Sequence, residues 1–234
     1  MLAIVAIIVL IPASKWYSAR IKTERASLAN SGAAEAKKPT LPMKTIWISM
    51  FILIFLVFSK NFYTVSLSNY YTFYLMSKFG VTVQTAQILL FAFLFSAAIG
   101  TLIGGPVGDK YGRRLVIWWS ILGSAPFALL MPYANFTWTI ILSVIIGFII
   151  SSAFSAMLVY AQELLPLKVG LVSGIFFGFA FGMAGVASAI LGKLADLYGI
   201  DFIYHLCAFF PLFGAVAYFL PKVRTIQAMK KELN

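Results

Sequence analysis

The chain has 234 residues, 62% of them hydrophobic and 11% charged, and a net charge of +11. A soluble domain is about a quarter charged, so this composition belongs to an integral membrane protein. Its basic residues stand at the ends of apolar runs and form no common face, which excludes nucleic acid as their partner and leaves the lipid bilayer. With Cys207 as its one cysteine, the chain makes no internal disulfide and no cysteine-based metal cluster.

Residues 1–12 are apolar but shorter than the roughly 20 helical residues needed to cross a bilayer. No basic residue precedes the run and residues 13–15 (ASK) make a poor cleavage site, so a signal peptide is disfavoured. The segment reads as the remnant of a transmembrane helix. Residues 13–44, rich in Ser, Ala and Lys and without apolar periodicity, read as a polar cytoplasmic linker. Six spans are predicted over 45–220, near 45–76, 85–104, 115–133, 137–161, 170–191 and 202–220, followed by a cytoplasmic tail over 221–234. The fold class is all-α and membrane-embedded, a six-helix bundle.

Charge sets the expected orientation. Fifteen of the 18 Lys and Arg fall in the linker, in 105–114, in 162–169 and in the tail, against Lys78 and Lys193 on the other side. That bias places the linker and the C-terminus in the cytoplasm.

Between the second and third spans lies a dense cluster of charge and turn formers, with Gly105, Asp109, Lys110, Gly112, Arg113 and Arg114 as its functional candidates. Gly105, Gly112 and Pro106 predict a short hairpin, and Asp109 is placed to cap the helix that follows. The pattern G-x-x-x-D-x-Y-G returns 87 residues later, from Gly192 to Gly199, closing the fifth span as the first copy closes the second. With three spans per copy, the two triplets run in opposite directions across the membrane, as an inverted repeat does.

Lys60 stands well inside the first span, where an ammonium is costly unless it meets a watery cavity, a partner or an anion. Thr64, Ser68 and Tyr71 follow at steps of three to four and share its helical face, making a candidate substrate-binding stripe. The competing reading is a lysine that snorkels or pairs structurally. Gly170, Gly174, Gly178 and Gly182 recur every four residues in the fifth span, the spacing that lets helices pack closely, as a sliding seam or a static one. Glu163 ends the fourth span, where a structural ion pair fits better than a proton-coupling role. Asp201 reads as a helix N-terminal carboxylate, and His205 and Cys207 as ordinary helix residues. Span centres carry no acid, and nucleophile–base pairs, metal constellations and phosphate loops are lacking, so no catalytic residue, metal or cofactor is assigned and the chain is not read as an enzyme.

The spacing G-x-x-x-D-[KR]-x-G-R-[KR] over 105–114 resembles the signature loop of the major facilitator superfamily of transporters. Residues 68–76 (SNYYTFYLM), 91–95 (FAFLF), 160–166 (YAQELLP) and 178–182 (GFAFG) resemble one branch of it, the fosmidomycin resistance proteins. Residues 16–19 (WYSA) look like the exit from that family's sixth helix. The resemblance implies a bacterial inner-membrane antiporter that exports a small anionic drug in exchange for protons. It also implies that Asp109, Arg113 and Arg114 help hold one state of the access cycle. A family member has two six-helix bundles, and this chain resembles the second, so an N-terminal six-helix half is the expected partner and transport by this chain alone is not expected. The alternative is a non-transporting membrane subunit that serves as an interaction partner.

Overall fold

The computed structural model describes residues 43–165 and 168–221. The expected helix remnant at 1–12, almost all of the linker and the tail beyond residue 221 lie outside the described residues. What is described is almost wholly helical: α1 (Met43–Phe79), α2 (Val83–Tyr111), α3 (Arg113–Leu130), α4 (Phe136–Leu164), α5 (Val169–Tyr198) and α6 (Ile200–Cys207). A 3-10 turn, Met131–Tyr133, extends α3, and a 3-10 segment, Phe210–Phe219, continues α6. Counting these extensions, six helices are long and apolar enough to cross a membrane. The 37 residues of α1 would reach about 55 Å as a straight helix, well beyond the apolar thickness, so it tilts or protrudes.

Several helix ends are capped by side chains. Thr82 accepts from the Thr85 backbone N–H at 3.3 Å to cap α2, and Asn135 accepts from Trp138 N–H at 3.0 Å to cap α4. Asp201 lies in the first turn of α6, as expected of a helix N-terminal carboxylate.

The signature stretch departs from expectation. It is not a hairpin loop: α2 continues through Pro106 to Tyr111, and the chain reverses on Gly112 alone. A proline inside a membrane helix is tolerated because neighbouring helices re-satisfy the freed backbone groups. Gly112 has φ +96°, a conformation that side chains resist, and its N–H bonds back to the Gly108 carbonyl at 3.0 Å. The same device closes the second copy of the motif: Gly199 has φ +85°, its N–H reaches the Ala195 carbonyl at 2.9 Å, and α6 starts at the next residue. The repeat in sequence is thus a repeat in backbone geometry.

Close packing also sits elsewhere than expected. Gly170, Gly174, Gly178 and Gly182 of α5 meet nothing that a Cβ would touch. The tight seam joins α2 to α4, where Gly100 and Gly104 lie against the backbone of Phe148 and Ser152, and Gly147 lies against Ser96 and Phe93. A second backbone contact brings Gly214 of the 3-10 segment onto Leu122 of α3.

The apolar interior is divided along the bundle. One cluster gathers Leu53, Leu56, Ile117, Ile121, Met157 and Phe176. The other gathers Leu67, Tyr74, Phe93, Met131, Ile146 and Tyr204. Between them, near the middle of α1, three consecutive polar residues, Ser59, Lys60 and Asn61, are buried.

Candidate functional site

Consecutive residues on a helix point about 100° apart, so a buried polar trio must find partners on different neighbours. Ser59 donates to the Phe210 carbonyl at 2.5 Å, in the first turn of the 3-10 segment that continues α6. Asn61 donates to the Ala180 carbonyl of α5 at 3.0 Å. Lys60 turns to α4, with its ammonium 5.0 Å from the centre of the Phe154 ring. The ring's negative face attracts the cation, and more strongly where water is excluded. Lys60 is 7% exposed and, among the described residues, forms no ion pair; Asp109, Glu163 and Asp201, the carboxylates that do, lie at the helix ends. Phe154 in turn meets Phe177 of α5 edge-on, 5.6 Å between centroids. A buried cation therefore stands where α1, α4 and α5 converge.

The rest of the expected stripe divides. Thr64 is half-buried one turn away and donates to the Lys60 carbonyl at 2.9 Å, and Ser68 is half-buried a turn further. Tyr71 is fully buried and donates to Ser143 Oγ of α4 at 2.9 Å, so its hydroxyl is already used inside the bundle. Asn69 and Tyr70, the next polar residues, bond Ser188 of α5 through its hydroxyl (2.7 Å) and its carbonyl (2.9 Å). The α1–α5 contact is hydrogen-bonded, while the α2–α4 contact is backbone against glycine.

The signature residues form a clasp at one end of the bundle. Asp109 does not cap α3: Gly112 holds that position without a side-chain bond. Across the Gly112 reversal, Arg113 at the start of α3 donates to Asp109 Oδ1 near the end of α2 at 2.6 Å. Arg113 also pairs with Glu163 at the end of α4, so one guanidinium joins α2, α3 and α4. Arg114 donates to the Tyr218 carbonyl and lies over the Tyr218 ring, 5.3 Å from its centre, tying α3 to the 3-10 segment. Lys110 is exposed over the ring of Tyr111, and Gly105 lies within α2 next to Pro106. Glu163 is thus occupied as an ion-pair partner, in line with the structural role expected of it.

At the opposite end Lys78 donates to Tyr74 Oη at 2.8 Å and to the Pro132 carbonyl, locking the end of α1 to the turn between α3 and α4. Tyr74 stacks on Tyr204 at 3.9 Å between centroids, and the His205 Nδ1–H donates to the Asp201 carbonyl at 2.9 Å, with the His205 ring edge-to-face with Tyr133. One of the two basic residues that run against the charge bias is therefore a structural tether.

Sequence reasoning passed over Ser59, Asn61 and Phe154. An Asn directly after an intramembrane Lys was a usable signal, since both demand partners in the bilayer. Nothing in the sequence marks Phe154 among 22 phenylalanines.

Among the described residues, six helices long and apolar enough to cross a membrane, a lysine buried near the middle of the first and a clasp of charge at one end have the architecture of a half-transporter of the facilitator type. The model of the Major Facilitator Superfamily matches residues 50–232, and the chain belongs to that family. It is 56% identical over 224 residues to the fosmidomycin resistance protein of Escherichia coli (strain K12), a match covering 95% of this chain and 53% of that protein. It is 39% identical over 223 residues to an uncharacterized MFS-type transporter, YfnC, of Bacillus subtilis (strain 168), covering 94% and 54%. An uncharacterized transporter of Buchnera aphidicola is 26% identical over 205 residues, covering 85% and 48%. The chain spans about half the length of these relatives.

Proposed function

We propose that this chain is one six-helix half of a proton-coupled drug exporter for a small anionic drug of the fosmidomycin type, and that it needs a complementary six-helix half to transport. The drug class comes from the name of the Escherichia coli relative at 56% identity. The observation that carries it physically is Lys60, buried near the middle of α1 beside an aromatic ring and, among the described residues, in no ion pair with a carboxylate. A transporter for an anion needs a cation within the bilayer to offset the loss of hydration, and Lys60 supplies one. Thr64 and Ser68 extend the polar wall, while Tyr71 holds α1 against α4 and positions that wall. Asp109, Arg113 and Arg114 stabilise one state of the access cycle by tying the helix ends together. The unfilled face of α5, with Gly170, Gly174, Gly178 and Gly182, is the surface for the other half. The orientation is that of the charge bias, with the C-terminus in the cytoplasm of a bacterial inner membrane.

Growth on the drug tests this reading. A strain lacking its own exporter should gain resistance when the chain is co-expressed with the first six helices of the Escherichia coli relative. The chain alone should give none. Absence of resistance from the combined halves, with both present in the membrane, would favour the non-transporting subunit.

A further inference from the structure

A cavity of about 450 Å³ opens between α2 and α3, with α4 as its floor, away from the Lys60 region. Ile103, Tyr111, Leu115 and Trp119 make its walls, and the missing side chain of Gly123 leaves space beside Trp119. The two hydroxyls on its floor, Ser120 and Ser152, bond each other at 2.7 Å, and Ser152 also donates to the Ile149 carbonyl, so the floor asks for no polar ligand. Along α3 the lining runs from Leu115 to Phe127, about 18 Å of helix rise. One leaflet of the hydrocarbon core is about 15 Å deep. A helix of 10–12 Å diameter over that length occupies about 1,400 Å³, several times this space, and would rest on the rim instead of filling it.

The groove is apolar along its length and cationic at one end. Tyr111, which lines it, is 62% exposed, and Lys110 holds its ammonium 5.5 Å from the centre of the Tyr111 ring. Arg114 follows close by in sequence, next to Leu115, and is engaged with Tyr218; Asp109 is engaged with Arg113. Trp119, 59% exposed, borders the groove one turn beyond Leu115. An acyl-length apolar groove that ends at an aromatic ring and an exposed ammonium has the form of a phospholipid site with its anionic headgroup at Lys110.

We propose that this groove binds one anionic phospholipid of the leaflet at the signature end, an acyl chain lying between α2 and α3 and its phosphate on Lys110. This rests on the membrane bundle and not on any transport activity. An anionic lipid seated there would neutralise charge beside the Asp109–Arg113–Glu163 clasp and brace α3 against α2.

Quenching by brominated lipid tests it directly. The chain is reconstituted in phosphatidylcholine vesicles containing either brominated phosphatidylglycerol or brominated phosphatidylcholine. The Trp119 signal is taken as the difference between the wild type and Trp119→Phe. Phosphatidylglycerol should quench Trp119 with an apparent affinity about fivefold higher than phosphatidylcholine, the scale of one basic residue at an anionic surface. Lys110→Gln should bring the two lipids to parity, and Lys110→Arg should keep the preference. Gly123→Leu, at a position whose Cβ meets only Trp119 at 3.8 Å, should fill the groove and reduce quenching by both lipids. Parity in the wild type, a preference undiminished in Lys110→Gln, or quenching unaffected by Gly123→Leu would each overturn the assignment. Absence of quenching by either lipid would show that protein covers the groove, and would overturn it equally.

Discussion

Gly104→Ala should destabilise the chain in detergent micelles, while Gly178→Ala should leave its stability unchanged or raise it. Both positions are helical, and by propensity alone each exchange favours the helix by about 1 kcal/mol. The signs differ because of what the added methyl group meets. At Gly104 it runs into the Ser152 carbonyl, Ser152 Cα at 2.7 Å and the Ser155 hydroxyl at 2.7 Å. Two of these are backbone, which cannot swing aside as a side-chain tip can. The α2–α4 seam has to part, at the usual overpacking cost of about 1–3 kcal/mol or more. At Gly178 the methyl group meets nothing. Fluorescence-detected size exclusion after heating reads both variants. A Gly104→Ala protein as stable as the wild type would mean that α2 and α4 do not meet backbone to backbone. Co-expression with a complementary half should reverse the Gly178 result, since the α5 face then acquires a neighbour.

Lys60→Met should reduce export of the anionic drug about 10- to 100-fold in the assembled two-half protein, the scale of one hydrogen bond to a charged group. Methionine keeps the length and the contact with Phe154 but carries no charge. Lys60→Arg should retain part of the export, because the charge survives while the geometry changes. Any neutral substrate should be less affected by Lys60→Met than the anionic drug. Equal export of the anion by wild type and the Met variant, measured at equal membrane levels, would remove Lys60 from the substrate path and leave it as a tether to α4.

The legible part of this fold was the part written in composition. Long apolar runs give long helices almost without regard to neighbours, and each of the six expected spans falls on a helix long and apolar enough to cross a membrane among the described residues. Boundaries failed where turn chemistry was carried over from water. Pro106 and the paired glycines read as a hairpin, yet in a bilayer the backbone gains more by staying helical, and only Gly112 breaks it. The glycine rows show a different limit. Gly100, Gly104 and Gly108 have the same spacing as Gly170, Gly174, Gly178 and Gly182, and spacing cannot say which row has a partner. Long-range pairings such as Arg114 with Tyr218, across 104 residues, leave no local trace. Lys60 was legible because a charge inside a span has few explanations, whereas its aromatic neighbour was one phenylalanine among many.

Uptake into inverted membrane vesicles tests the central claim most directly. Vesicles holding the chain together with a complementary six-helix half should accumulate radiolabelled fosmidomycin when their interior is made acidic, and should lose that accumulation when the proton gradient is collapsed. Vesicles holding the chain alone should accumulate none. Gradient-dependent uptake by the chain alone, or its absence when both halves are present and assembled, would contradict the account.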